Sequence, residues 1–467
     1  MDRPTLVLIT TDQLRADALG CFGGRAVATP HLDALAAEST VFDQAYTASP
    51  YCLPSRSSMM TGCYPHRHRA YSNFRDVRLS PSDPNLYNTL SGLGYHVTHV
   101  GKCHYAPVPY GRTRPDETQP YQDFRDYYLS LGIDDLDLQD DKQVSVWFRD
   151  DYAADLDAAG HLQAYRDAVW DSEAAKVFTF PGPAEWHPDA WVGRKACERI
   201  AAADQQTPQF FWISISGPHF PFDPPQEYLD RVDLDAMGEP RTFGELEDPQ
   251  RIHYRSLHAA PPQWIESGRN DRYTDDYWRR LRQHYFANVA LIDDQIGAIR
   301  QSLADRFGDN VMIIFTPDHG EMLGNHGMWG KGHCFYDDVL KVPLIMRRPG
   351  GRAAGTRSDD LVSLIDLYPT FVGAAGGDRP EVDGVALTAP DRGHPFVLSE
   401  GERMSVVSDR RHKLVSIQHQ GQEFTEMFDR DADPDEIGSI AGDDRHATVE
   451  RDLHSRIAGS LLGAALA

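Results

Sequence analysis

Leu6-Val7-Leu8-Ile9, Phe210-Phe211-Trp212-Ile213 and Val311-Met312-Ile313-Ile314-Phe315 are continuous apolar runs, the pattern of strands buried on both faces of a parallel sheet. Tyr95-His96-Val97-Thr98-His99-Val100 alternates, carries β-branched residues and reads as another strand. Each run hands over at its C-terminal end to polar, ligating or cationic residues: Thr10-Thr11-Asp12-Gln13, Gly101-Lys102-Cys103-His104, Gly217-Pro218-His219 and Thr316-Pro317-Asp318-His319-Gly320. In open α/β sheets ligands bind beyond the carboxyl ends of the strands, so these segments are expected to meet at one edge. Taken singly each is weak, since an Asp in the place of Asp12 also suits the cap of a following helix.

Elsewhere the periodicity changes. Pro30 to Ala37 reads as a helix, and Arg279 to Leu303 carries a helical stripe through Tyr285, Val289, Ile292 and Ile296. After Gly376 short runs in hairpin order (Phe396-Val397-Leu398, Ser405-Val406-Val407, His412-Lys413-Leu414-Val415) precede a terminal helix over Val449 to Leu462. The fold class predicted is α/β: a large, mixed, mostly parallel sheet sandwiched by helices over residues 1–375, with a smaller C-terminal α+β subdomain on an antiparallel sheet over 376–467. Residues 105–204 and the Pro-rich stretch 222–274 are expected to be insertions that shape a pocket. Within the first, the acidic run Asp134 to Asp141 reads as a solvated face or mobile loop. Trp147, Trp170, Trp186 and Trp191 read mostly as core, with an aromatic wall for an organic alcohol as the alternative. His66-Arg67-His68-Arg69 suits either a pocket mouth or an exposed basic turn.

Bulk properties narrow the choice of partner. The 467 residues carry a net charge of −24, which argues against nucleic acid or an anionic membrane surface. No apolar run is long enough to span a bilayer and the N-terminus lacks a basic, then apolar, leader, so a cytoplasmic location is expected, with removal of a leader left open. The six cysteines show no Cys-x-x-Cys spacing and read as reduced thiols, Cys103 and Cys334 among them as packing residues.

The most specific stretch is Tyr51-Cys52-Leu53-Pro54-Ser55-Arg56-Ser57-Ser58-Met59-Met60-Thr61-Gly62. Pro54 presets a first helical turn and Gly62 can end the helix, which places Cys52 at a helix N-terminus where free N–H groups could hold an anion, with Arg56 one turn on. A lone cysteine is ordinarily an inert small hydrophobe. This stretch, however, resembles the Cys-x-Pro-Ser-Arg…Thr-Gly signature of the formylglycine-dependent sulfatases. Thr11-Asp12-Gln13, Gly101-Lys102-Cys103-His104, Gly217-Pro218-His219, Asp318-His319-Gly320 and Gly330-Lys331 resemble the successive blocks of that family, a branch of the alkaline-phosphatase-like superfamily. Val362 to Thr370 resembles its closing catalytic segment, and Met427-Phe428-Asp429 with Asp433-Pro434 its C-terminal subdomain.

The resemblance implies an alkaline-phosphatase-like fold and hydrolysis of a sulfate monoester to an alcohol and inorganic sulfate. Cys52 would be oxidised to formylglycine by a formylglycine-generating enzyme. One hydroxyl of its hydrate attacks sulfur, and the other, once deprotonated, expels sulfate. Asp12, Asp318, His319 and residue 52 would hold one divalent cation. Arg56 and Lys102 would hold the hydrate and sulfate oxygens, His104 would act as base, and His219 and Lys331 would bind the ester oxygen and assist the leaving group. Asn73 resembles a secondary sulfate contact. Thr11 stands where many relatives have a second aspartate, and His319 where some have asparagine, so Mn²⁺ rivals Ca²⁺. Both departures resemble the phosphonate monoester hydrolases, which makes phosphonate monoester or phosphodiester hydrolysis the rival reading. The Lys102-x-His104 pair favours sulfate. A non-catalytic anion- or metal-binding protein with unconverted Cys52 is the remote alternative. The substrate class expected is a small-molecule or saccharide sulfate ester, and a homo-oligomer is left open.

Lysine usage offers a check independent of any family. The chain has only Lys102, Lys142, Lys176, Lys195, Lys331, Lys341 and Lys413. Two of them fall in the strand-end segments, where a compact point charge suits an oxyanion.

Overall fold

The computed structural model describes residues 3–73, 77–107, 119–172, 177–241, 266–267, 274–332, 334–390, 392–419 and 422–466. Its centre is an eight-stranded sheet. In chain order the strands are β1 (Thr5–Asp12), β2 (Thr40–Tyr46), β3 (His96–Gly101), β4 (Asp135–Leu138), β5 (Gln209–Pro218), β6 (Val311–Pro317), β7 (Leu344–Arg347) and β8 (Thr356–Ser363). Across the sheet they run β8-β2-β7-β6-β1-β5-β3-β4. Only β7 is antiparallel to its neighbours.

The apolar run of β1 explains its central position. Val7 and Ile9 join one core with the helices Pro188–Ala202 and Asp275–Phe307, while Leu6 and Leu8 join a second core with the helices Cys52–Thr61, Leu86–Gly92 and Leu367–Ala374. Successive strand side chains point to opposite faces, so a strand covered on both sides must be apolar throughout. The helix Asp275–Phe307 begins at Thr274, whose hydroxyl accepts the Tyr277 N–H, and it buries the predicted stripe of Tyr285, Val289, Ile292 and Ile296.

A meander of β9 (Val397–Gly401), β10 (Met404–Ser408), β11 (His412–His419) and β12 (Gln422–Asp429) forms the C-terminal antiparallel sheet. The terminal helix, Ala447–Leu466, covers it with Leu453 and Ile457. Residues 66–69 form a turn in which Arg67 and Arg69 are exposed and His66, Arg67 and His68 are tied to neighbours. Glu400 of β9 accepts from His66 N–H and pairs with its Nδ1, Asp383 pairs with Arg67, and His68 Nε2 meets Ser58 Oγ at 2.9 Å, so this turn ties the helix Cys52–Thr61 to the C-terminal sheet.

The acidic run departs from expectation. Asp135–Leu138 is the edge strand of the main sheet, with Leu136 and Leu138 buried and Asp135 and Asp137 held by Arg199 at 3.0 Å and 2.5 Å. Asp140 and Asp141 are buried beside β3. Alternation of leucine with aspartate is the informative pattern: Asp135, Asp137 and Asp141 pair with cations, and Asp140 is held by backbone N–H groups and tyrosine hydroxyls. Among the tryptophans, Trp191 is fully buried, Trp147 and Trp186 pack at the edge of the core, and Trp170 is 46% exposed. Of the stretch 222–274, residues 242–265 and 268–273 lie outside the described residues.

Candidate active site

β1, β3, β5 and β6 lie together in the sheet, and their carboxyl ends deliver Asp12, Lys102, His219 and Asp318 to one edge. Gly101 makes this convergence possible. It has φ +98°, and a Cβ there would sit 2.0 Å from Ser214 O, so only glycine lets β3 approach β5 closely enough for Lys102 N–H to bond Ser214 O.

The helix Cys52–Thr61 points its N-terminus into this edge, with Tyr51 extended before it and Gly62 in the left-handed region closing it. The N–H groups that follow Cys52 in its first turn, however, are already engaged. Leu53 N–H goes to Asn73 Oδ1 at 3.0 Å, Ser55 N–H goes to Tyr51 O, and Pro54 has none. An anion beside Cys52 therefore depends chiefly on side chains, since Leu53, Pro54 and Ser55 offer it no free N–H.

Those side chains are close. Cys52 Sγ lies 3.0 Å from Lys331 Nζ, 3.2 Å from His319 Nε2 and 3.7 Å from Asp12 Oδ1. Lys331 Nζ also donates to Gln13 Oε1 at 2.8 Å. Lys102 Nζ bridges Asp12 Oδ2 at 2.7 Å and Asp141 Oδ2 at 2.9 Å. Arg56 braces the site from behind, donating from Nε to Asp318 Oδ2 at 2.8 Å and from Nη1 to Ser214 Oγ and Lys102 O, while its Nη2 lies 3.6 Å from Asp12 Oδ2. His219 lies beside Phe220, its Nδ1 2.5 Å from Phe220 O and the two rings stacked. His104 takes a left-handed φ of +51°, and neither of its buried ring nitrogens has a hydrogen-bond partner.

Electrostatics follow from burial and charge. Burial opposes ionisation of Asp12, but Lys102, Lys331, His219 and His319 outweigh it and hold the carboxyl well below its usual range. Burial likewise opposes the charge of Lys102, and Asp12 with Asp141 reverses this and holds it well above the ordinary lysine value. His104 is pushed far down by burial and Lys102, and His219 by burial and Lys331, so both are neutral imidazoles. Burial and Asp12 push the Cys52 thiol up to about 11, which leaves an unmodified Cys52 protonated at neutral pH.

One ligand atom from each of Asp12, Cys52, Asp318 and His319 lies within 4.8 Å of the others, and all four residues are buried. His319 Nε2 is 3.6 Å from both Asp12 Oδ1 and Asp318 Oδ1, a spacing suited to donors around a cation with bonds of about 2.0–2.6 Å. Two carboxylates and an imidazole form a charge-balanced, mixed N/O donor set that fits one divalent ion.

A sulfatase family model matches residues 4–377. The chain belongs to the sulfatase family. It is a sulfuric ester hydrolase. The "Uncharacterized sulfatase YidJ" of Escherichia coli (strain K12) is 29% identical over 98% of this chain and 87% of that protein. The "Arylsulfatase" of Clostridium perfringens is 25% identical over 95% of this chain and 91% of that protein. In fold, the phosphonate monoester hydrolase of Agrobacterium radiobacter superposes with a TM-score of 0.80 at 24% identity, over 99% of this chain and 96% of that one.

In this sulfatase Asp12, Cys52, Arg56, Lys102, His104, His219, Asp318, His319 and Lys331 lie at or against the strand-end edge, and Asn73 accepts the Leu53 N–H beside it. Several that matter escaped notice. Gln13, at φ +68°, donates its N–H to Asp318 Oδ1 and its side-chain amide to Glu321. Asp140 Oδ1 accepts the N–H groups of Cys103 and His104, while Tyr121 and Tyr128 donate to its Oδ2. Thr47 and Ser55 hydroxyls both hold Asp318 O at 2.7 Å. Only the adjacency of Gln13 to Asp12 and of Asp140-Asp141 to the leucine alternation hinted at these roles.

Proposed function

We propose that this sulfatase cleaves a sulfate monoester through formylglycine made from Cys52, with one divalent cation, Ca²⁺ or Mn²⁺, held by Asp12, Asp318, His319 and an oxygen of residue 52. The observation that carries the reading is the gathering around Cys52 Sγ of Lys331, His319 and Asp12, with Lys102 on the far oxygen of Asp12.

Formylglycine supplies, as its hydrate, a hydroxyl nucleophile and a second hydroxyl through which sulfate is released. The cation supplies charge neutralisation and a lowered hydroxyl pKa at residue 52. The chain's own residues do the remainder. Lys102 and Lys331 flank residue 52 as buried ammonium groups and hold sulfate oxygens, in a dry site where each contact counts for more than in water. Arg56 holds Asp318 in place through its Nε and lies 3.6 Å from Asp12. His104 is neutral with both ring nitrogens unengaged, so it can take a proton from residue 52. His219 binds the ester oxygen and, with Lys331, steadies the departing alcohol. Asn73 fixes the turn that presents residue 52 and lies beside the sulfate. The alcohol half is a small molecule or saccharide, and a formylglycine-generating enzyme is the maturation partner.

The test is kcat/KM for p-nitrophenyl sulfate beside phenyl p-nitrophenylphosphonate, on protein whose residue 52 peptide has the mass of the aldehyde. Preference for sulfate is expected. Preference for the phosphonate would replace the reading with the phosphonate monoester hydrolase one, to which Thr11 and His319 point. Cys52→Ala is expected to lower kcat/KM by at least about 10³-fold with an unchanged melting temperature.

A further inference from the structure

Asp140, Asp141 and Lys142 follow β4 after the single residue Gln139, and each reaches a different part of the site wall. Asp140 holds the Cys103 and His104 N–H groups, and Asp141 holds the Lys102 ammonium. Lys142 is fully buried and turns the other way, toward the segment 217–223 that carries His219. Its Nζ lies 2.8 Å from Asp223 Oδ1, 3.4 Å from Pro221 O and 3.4 Å from Asp189 Oδ2. Asp189 Oδ1 in turn accepts Gly217 N–H at 2.8 Å and the Ser216 hydroxyl at 3.4 Å. Asp223 accepts the Tyr165 hydroxyl at 2.6 Å and lies 3.3 Å from His187 Nε2. Both ends of the His219 segment therefore terminate on one ammonium group. Gly217 is fitted to this arrangement, since a Cβ there would meet Asp189 Oδ2 at 2.1 Å.

We infer that Lys142 is a positioning residue for His219, clamping Gly217 through Asp189 and Pro221 with Asp223 directly, and that Asp140-Asp141-Lys142 is one clasp setting the His104, Lys102 and His219 groups relative to one another. This rests on the sulfatase reading of His219 given above. A buried ammonium between two carboxylates costs desolvation and is poor evidence of stabilisation in itself. Its directional value is greater, because a displacement of about 1 Å in a catalytic group can cost about 100-fold in rate.

A double-mutant cycle separates positioning from general structural support. Lys142→Met in the otherwise unchanged enzyme is expected to lower kcat/KM for p-nitrophenyl sulfate by about 10–100-fold. Bound-cation content should stay the same, since residues 217–223 carry no proposed metal ligand. In a His219→Ala background the same substitution is expected to cost less than about 3-fold, because nothing is left to position. Lys142→Arg should recover part of the loss. Should Lys142→Met fail to fold, Tyr165→Phe, which removes only the hydroxyl on Asp223, takes its place in the cycle with an expected loss of about 3–10-fold and the same background dependence. An equal loss in both backgrounds overturns the inference while the sulfatase reading stands. Full activity of His219→Ala refutes the role given to His219, and the inference falls with it.

Discussion

Asp318 shows how much one carboxylate can be asked to do. It accepts from Arg56 Nε, Gln13 N–H and His319 N–H, and its own backbone carbonyl is held by Thr47 and Ser55. Asp318→Asn is expected to reduce bound divalent cation from about one per chain to less than a tenth, measured by elemental analysis of protein purified without chelator. It also leaves Arg56 short of a counter-charge in a fully buried place, a destabilisation of about 3–5 kcal/mol. Full metal retention would remove Asp318 from the ligand set. At this scale the residues at strand ends were legible, because a polar residue after an apolar run has few reasons to be there. Their partners were not. Asp141 reaches Lys102 across 39 positions and Gln13 reaches Glu321 across 308, and no local pattern links such pairs.

Elements were legible in proportion to their hydrophobic signal. β1, β5 and β6 are continuous apolar runs, and the helix Asp275–Phe307 has a long stripe. β4 reads as a solvated acidic stretch because five of its flanking and internal residues, Asp134, Asp135, Asp137, Asp140 and Asp141, are acidic, although its two leucines fill the core. β2, β7 and β8 lie toward the other edge of the sheet; β7 is a run of only three apolar residues, and the mixed sequences of β2 and β8 announce no strand until β7 pairs with β6 and gives β2 a neighbour. Where two elements must touch, the sequence requirement becomes strict. Gly101→Ala would place a methyl against Ser214 O in a left-handed backbone conformation. Overpacking of about 1–3 kcal/mol and strain of about 1–2 kcal/mol add, so urea unfolding is expected to show a loss of about 3 kcal/mol or more. A loss under about 1 kcal/mol would mean that β3 and β5 are free to separate.

At the scale of the molecule, the catalytic sheet and the C-terminal sheet are joined through another buried lysine. Lys413 of β11 donates to Phe335 O at 2.8 Å and Asp337 Oδ1 at 2.7 Å, and pairs with Glu436. Lys413→Met removes the cation between Asp337 and Glu436, leaving Asp337 with Arg430 and the Tyr46 hydroxyl, and is expected to cost about 3 kcal/mol, read as a lowered or split thermal transition. Buried histidines govern the acid limb of stability. Burial holds His99 down at about 3 and His284 at about 4. The unfolded chain, with histidines near 6.5, binds more protons below that pH. Each residue's contribution is thus complete above about pH 6.5 and shrinks as pH falls toward 4 and 3, by about 2 kcal/mol at pH 5. Asp150 has the opposite sign, since burial pushes it up to about 8 and it favours the folded state less as pH rises from 3.8 to 8. The comparison that isolates His99 is therefore His99→Gln against wild type: denaturant unfolding at pH 7.5 and pH 5 should show a gap between the two pH values smaller by about 2 kcal/mol in the variant. An unchanged gap would mean that His99 is not kept neutral.

The sequence by itself determined the α/β architecture with a parallel core, the helix that presents Cys52 and the family, because apolar run length, a Pro-to-Gly helix frame and a contiguous motif are all local. Tertiary structure decided the rest. It showed that the Leu53 and Ser55 N–H groups in the first turn of the Cys52 helix go to Asn73 and Tyr51, that an acidic run is an edge strand ending in buried carboxylates, and that Lys102, Lys142, Lys331 and Lys413 are buried cations rather than surface ones. The physical reason is the same in each case. A charge or a donor has no character of its own in a sequence, and its role depends on the partner that folding brings within about 3 Å.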